Sequence, residues 1–193
     1  QRISDAFDVP ALMQNIEAVT KFTASHACDP RSTMRLVPTL DGQSYYQDAT
    51  GNYRVYEFVE GSVCLQAAET PADFYESAVA FGSFQQILAQ FPAETLSEPI
   101  PNFHNTEDRY RIFHEVLQKD PCGRAGGAQP EIDFVLAHEP EAGTLQRMRE
   151  SGALPLRVTH NDTKLNNVML DEKTHKALCV IDLDTVMPLS LIH

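Results

Sequence analysis

Three features of this 193-residue sequence predict an α+β fold. The first third carries one amphipathic helix pattern, then short β-type runs punctuated by turn signals. The middle is helical, with capped starts and apolar residues at helical spacing. Near the end a pair of apolar, strand-like runs flanks a polar turn as in a β-hairpin.

Asp8-Val-Pro-Ala precedes apolar residues at Leu12, Ile16, Val19 and Phe22, which predicts a helix over 10–25 with Asp8 as N-cap and Pro10 in the first turn. Residues 33–40 read as a strand, Asp41-Gly42 as a turn and 44–47 as the returning strand. A turn at 50–52 leads into a half-buried strand over 53–60, ending at Gly61. Thr70-Pro-Ala-Asp begins a helix to about residue 91, with Thr70 as cap and Asp73 as the capping-box acid. Its Phe74, Ala78, Phe81, Phe84, Ile87, Leu88 and Phe91 form a wide face expected in the core. Thr106, followed by Glu107 and Asp108, marks the next helix start, with Tyr110, Phe113 and Leu117 along it. The glycine-rich stretch 120–129 lacks the GKS/T of a P-loop and follows a helix, so it reads as a connection. A helix over 131–150, broken near Pro140 and turning Leu145 and Met148 inward, leads to a short strand over 156–159.

The chemistry is concentrated in 158–188, VTHNDTKLNNVMLDEKTHKALCVIDLDTVMP. His160, Asp162 and Asn167 form the pattern H-x-D-x-x-x-x-N; Asp182 follows fifteen residues after Asn167, and Asp184 two after that. If Asp171 faces Ala177 in the hairpin, Asn167 lies opposite Ile181 and diagonal to Asp182. With paired strands about 4.8 Å apart and Mg–O distances of about 2.1 Å, Asn167 and Asp182 can share one metal ion. Asp162 precedes the hairpin, and Asp184, at period two, is expected on the same face as Asp182. A carboxylate near a nucleophile plus an Asn/Asp pair for a metal is what phosphoryl transfer from a nucleotide requires. The alternative is a polar loop before an ordinary hairpin; the added spacing and the D-x-D weigh against it.

HNDTKLNNVMLD followed by ALCVIDLDTVMP resembles the aminoglycoside/choline kinase-like phosphotransferase family, and within it the N-acetylhexosamine 1-kinases of gut bacteria. The resemblance implies a protein-kinase-like two-lobe fold, ATP and Mg2+ as cofactors, and transfer to the anomeric hydroxyl of N-acetylglucosamine or N-acetylgalactosamine. It makes Asp162 the base, Asn167 and Asp182 metal ligands, Asp184 a second metal or orienting acid, and His160 a brace for the loop. Lys164 either touches the γ-phosphate or is a solvated lysine. Residues 1–61 become a partial N-terminal lobe whose hinge, with Glu57, Phe58, Val59 and Glu60, meets adenine; from the residues alone this is a strand end with a glycine. Residues 62–193 become a partial helical lobe. Glu17 is the helix acid able to pair with a strand lysine, for which Arg2 is the available substitute, or else a solvated charge. His104 resembles an element near the substrate side, or helps cap its helix. The family's glycine loop and lysine strand are not present, and Leu189 stands where relatives carry glycine. The chain is therefore expected to be an internal fragment, incomplete at both ends, with little turnover of its own. Two rivals stay open: a kinase of the same fold for an aminoglycoside, choline, thiamine or homoserine, and a pseudokinase-like nucleotide-binding module.

Composition bounds the partners. A formal net charge of −12 argues against nucleic acid or an anionic membrane, and 42% hydrophobic residues suffice for a core. There is no membrane-length apolar run and no signal-like opening. Cys28, Cys64, Cys122 and Cys179 lack CxxC spacing, so reduced thiols in a cytoplasm are expected. The expected partners are a nucleotide and a small-molecule sugar; the oligomeric state is left open.

Overall fold

Helix α1 (Val9–His26) starts as its cap dictates: the Asp8 carboxylate accepts from the Ala11 amide, and Pro10 occupies a position where a missing N–H breaks no bond. In the computed structural model, which describes residues 1–189 and leaves 190–193 outside the described residues, Leu12, Met13, Ile16 and Val19 bury the inner face of α1. Glu17 bonds Lys21 one turn on, while Arg2 bonds Asp5. The expected Glu17–Arg2 pair is thus not formed, because each charge has a nearer local partner.

Strands β1 (Leu36–Val37), β2 (Tyr46–Asp48), β3 (Gly51–Tyr53) and β4 (Val55–Tyr56) follow. The expected pairing of 33–40 with 44–47 is corrected: β2 pairs β3, and β1 pairs β4, both antiparallel. Pro38 ends the first run, and Thr39 closes a local turn in which its hydroxyl accepts from the Gln43 amide. The Asp48 carboxylate accepts from the amide and hydroxyl of Thr50, which sets the β2–β3 turn one residue earlier than the glycine signal predicts. The long strand expected over 53–60 is interrupted at Arg54, and β5 (Ser62–Cys64) begins after a turn at Gly61. Gly61 has φ +65, the left-handed region glycine enters without a Cβ penalty.

Helix α2 (Pro71–Leu88) has the full capping box between Thr70 and Asp73. Its buried line is Asp73, Glu76, Ala80, Phe84 and Leu88. The expected wide face holds in its later part, where Phe84 and Leu88 are core and Phe81 and Phe91 pack against it, and is corrected at its start: Phe74 is 66% exposed, and Ala78 is also exposed. Two acids take the inner positions because their charges have partners. Asp73 accepts from the Glu69 and Thr70 amides, and Glu76 accepts from Lys176 Nζ and the Ala177 amide.

Helix α3 (Thr106–Lys119) is capped by Asn105, whose side chain accepts from the Asp108 amide, so Thr106 is the first helical residue rather than the cap. Helices α4 (Gln129–Ala137), α5 (Glu139–Ala142) and α6 (Thr144–Glu150) make three pieces where two were expected, with breaks at His138 and Gly143. Leu145 and Met148 are exposed, not inward. Strands β6 (Arg157–Thr159), β7 (Val168–Asp171), β8 (Ala177–Val180) and β9 (Met187–Leu189) complete the described chain. β5-β7-β8 form one antiparallel sheet, and β6 pairs β9.

The chain divides into two compact units, Gln1–Ile100 with Leu156–His193, and Pro101–Pro155. The second holds α3 to α6. The core of the first unit joins α1 and α2 to Val168, Leu170, Val180 and Leu183. The four cysteines are free thiols. No helix among the described residues is long and apolar enough to cross a membrane.

The α2 geometry separates two phenylalanines that sequence periodicity treats alike. Phe84→Ala is expected to destabilise the chain by about 3–5 kcal/mol, and Phe74→Ala by no more than about 0.5 kcal/mol. Urea denaturation of both variants beside the wild type checks the contrast.

Candidate active site

The hairpin delivers its residues in the register needed. Val168 faces Val180 and Met169 faces Cys179, and the Ile181 amide donates to the Asn167 carbonyl at 2.9 Å. Asn167 therefore stands opposite Ile181, as expected. Nearer the turn a bulge shifts the pairing by one, so Leu170 rather than Asp171 faces Ala177. The Asp171 carboxylate instead closes the turn, accepting from the Lys173 and Thr174 amides and from Arg31. These bonds, led by that from Thr174, hold it down at about 2.

Residues 160–167 form the loop ahead of the hairpin. His160 is buried, packed edge-on against Phe81 and Phe84. Its Nε2 donates to the Ile181 carbonyl at 2.8 Å and its Nδ1 accepts from the Asp162 amide at 3.3 Å, which defines the neutral tautomer. Burial lowers its pKa, with the bond to Ile181 pulling the other way. Asn161 adopts φ +64, a conformation asparagine tolerates. Its amide donates to the Thr159 and Thr185 carbonyls, and the Thr185 hydroxyl donates to the His160 carbonyl at 2.6 Å. Sequence reasoning passed over both; an asparagine between His160 and Asp162 was the available signal.

Asp162 projects from this brace. Its Oδ2 accepts from Lys164 Nζ at 2.7 Å and from Asn167 Nδ2 at 3.0 Å. Desolvation raises the carboxyl, but those two bonds and the Lys164 charge outweigh it and hold it below its ordinary value. The bond to Asp162 holds Lys164 above its ordinary value. Asn167 Nδ2 also donates to the Asp162 carbonyl at 2.9 Å. With both amide hydrogens turned to Asp162, Asn167 has its side-chain oxygen left for a ligand.

Asp182 has φ +61, ψ +59, and the chain then turns through one 3-10 turn, Leu183–Thr185. The period-two expectation for Asp184 fails because β8 ends at Val180. Asp184 is turned instead to Arg54, a buried guanidinium, and forms an ion pair with it. Burial pushes the Asp184 carboxyl up, while the charge and hydrogen bond of Arg54 pull it down. Asp184 is not in the wall that Asn167 and Asp182 share. Among the described residues no hydrogen bond or ion pair engages the Asp182 carboxylate.

Asn167 and Asp182 line one cavity of about 410 Å3 together with Arg54, Tyr56, Glu57, Phe58 and Val59. That volume lies in the roughly 300–1,000 Å3 range of small-ligand sites. Three of the four expected hinge residues are thus on the wall, with Phe58 three-quarters exposed; Glu60 sits on the exposed turn beside Gly61 and is not part of it. The Glu57 amide is engaged by the Arg35 carbonyl, and the Val59 carbonyl by the Ser62 hydroxyl. Arg54, which also lines this wall, was missed in the sequence because an isolated arginine in a half-buried strand reads as a solvated charge. His104 stacks against Phe103 in the second unit.

The mixed α+β architecture, with its small antiparallel sheets and its loop-hairpin segment, is kinase-like. Residues 10–191 match the family model of the phosphotransferase enzyme family (APH), and the chain belongs to that family.

His160 makes the loop acid-sensitive. A histidine whose folded pKa lies below its unfolded value of about 6.5 contributes stability that is fully present above that pH and is lost as pH falls. The unfolding free energy is expected to drop between about pH 6.5 and 5, and the drop to be shallower in His160→Gln. Urea titrations across that range read the two slopes.

Proposed function

We propose that this chain is a nucleotide-dependent small-molecule kinase that transfers the γ-phosphoryl group of ATP to the anomeric hydroxyl of an N-acetylhexosamine, giving the sugar 1-phosphate. The observation that carries the phosphotransfer reading is the pairing of Asp162 with Lys164 and with Asn167, a residue that lines one cavity with Asp182. The sugar is carried by the likeness of HNDTKLNNVMLD and ALCVIDLDTVMP to N-acetylhexosamine 1-kinases.

Asp162 remains ionised at neutral pH, so it accepts a hydrogen bond from the acceptor hydroxyl and takes its proton as the new P–O bond forms, while the bond from the γ-phosphorus to the β,γ-bridging oxygen breaks and ADP leaves. Lys164, protonated and partly exposed, pairs with Asp162, which supports its meeting phosphate oxygens in this reading. The Asn167 side-chain oxygen and the Asp182 carboxylate are hard oxygen donors, which suits Mg2+, an ion held by one or two protein groups plus substrate phosphates. Bound there, Mg2+ neutralises phosphate charge. Glu57, Phe58 and Val59 form the wall that receives the adenine, and His160 holds the loop without reacting. The acidic chain makes no call on nucleic acid or membrane, and its setting is a cytoplasm.

The test is phosphorus NMR of the full-length protein with ATP, Mg2+ and each N-acetylhexosamine, beside Asp162→Asn. A sugar 1-phosphate signal is expected, falling by at least about 100-fold in the variant. ATP consumption with an amine or another alcohol, and none with either sugar, replaces the acceptor. Mg2+-dependent ATP binding without transfer to any acceptor replaces the kinase with a binding module.

A further inference from the structure

Arg54 is the most deeply buried cation among the described residues, at 2% exposure. It lies in the break between β3 and β4, and nothing in its own segment requires a charge. Its Nε and Nη2 meet Gln1 Oε1 at 3.2 and 3.0 Å, and its guanidinium lies 5.3 Å from the centre of the Tyr56 ring. Its ionic partner is Asp184, 130 residues away in sequence. A buried arginine is retained at a large desolvation penalty unless paired, so this pair joins two segments with high geometric definition.

The second segment is the one that aims Asp182. Asp182 takes the left-handed conformation at φ +61, which aspartate adopts more readily than most residues with a Cβ but still at some cost. The following turn is fixed from three directions. Leu183 and Val186 are buried in the core, Thr185 is bonded from Asn161 and to His160, and Asp184 is drawn to Arg54. The first two are apolar packing and bonds to residues 160–161; the third reaches the strands before Gly61.

The pairing also sorts the charges. Asp162, Asp182 and Asp184 crowd one end of the hairpin, and two cations are given to two of them: Lys164 to Asp162 and Arg54 to Asp184. Among the described residues Asp182 has no ion-pair partner, and it lines the cavity with Asn167.

From this geometry we infer that Arg54 is a positioning residue: through Asp184 it fixes the turn that points Asp182 at a Mg2+–nucleotide and keeps Asp184 from competing for the ion. The role rests on the phosphotransfer reading above, and it deepens that reading by naming the outer support of the metal-facing carboxylate.

The test is calorimetric titration of a non-hydrolysable ATP analogue into the full-length protein, with and without Mg2+, for wild type, Arg54→Met, Arg54→Lys, Asp184→Asn and the double variant Arg54→Met/Asp184→Asn. Urea denaturation confirms which variants fold. The Mg2+-dependent gain in affinity, taken as the ratio of affinities with and without Mg2+, is expected to fall about 10- to 100-fold in Arg54→Met and in Asp184→Asn. Arg54→Lys should recover part of the gain, and the double variant should be no weaker than the worse single one. If Arg54→Met does not fold, Asp184→Asn and Arg54→Lys still decide the matter. Folded variants that keep the wild-type Mg2+ gain overturn the role of Arg54 and leave the kinase reading standing. A wild type with no Mg2+-dependent affinity overturns both.

Discussion

Ile181 holds the site together through its backbone. Its N–H donates to the Asn167 carbonyl and its C=O accepts from His160 Nε2. One residue thereby ties the hairpin's two strands at their open end and fastens the preceding loop to the same point. The His160 ring is buried against Phe81 and Phe84 of α2, so the bond is sheltered from water and the ring has one orientation. Because His160 Nδ1 then accepts from the Asp162 amide, the direction of Asp162 follows from the core, not from the flexible part of its own side chain. Holding a side chain to within about 0.5 Å requires this kind of backing.

The hairpin is in turn held from its far end. Glu76 of α2 accepts from the Ala177 amide and Lys176, and Arg31 reaches Asp171. The Glu172 amide donates to the Gly61 carbonyl, which joins the turn to the start of β5. β5 then pairs along β7, and the Cys64 thiol donates to the Asn166 and Val168 carbonyls beside the loop. Apolar packing of Leu170 and Val168 supplies the bulk of the attachment, and these polar bonds supply the register. The bulge between Met169 and Leu170 takes up the mismatch between a turn closed by Asp171 and a strand end fixed at Ile181.

Much of this was legible in the sequence where neighbours decide the outcome. The Asp8 cap, the Thr70–Asp73 capping box and the opposition of Asn167 to Ile181 are all short-range, and each is found where expected. What was misread depends on partners far along the chain. Phe74 and Phe84 have the same intrinsic preference, and only the location of β8 decides which is covered. Glu76 reads as a surface charge until Lys176 and Ala177, a hundred residues on, make it a buried one. The strand expected over 33–40 is cut to Leu36–Val37, because Thr39 and Asp48 satisfy backbone amides locally, which competes with a sheet ladder.

Asp184 marks where periodicity misleads most. Alternation across a strand puts residues 182 and 184 on one face only if both are extended. Asp182 is left-handed, and the 3-10 turn that follows rotates Asp184 away to Arg54. The two aspartates of D-L-D therefore have different electrostatic surroundings despite their identical chemistry. One is neutralised inside the protein. The other lines the cavity beside Asn167 and, among the described residues, has no ion-pair partner. A sequence pattern can show that two carboxylates are present at close spacing; only the backbone turn between them decides that they are not equivalent.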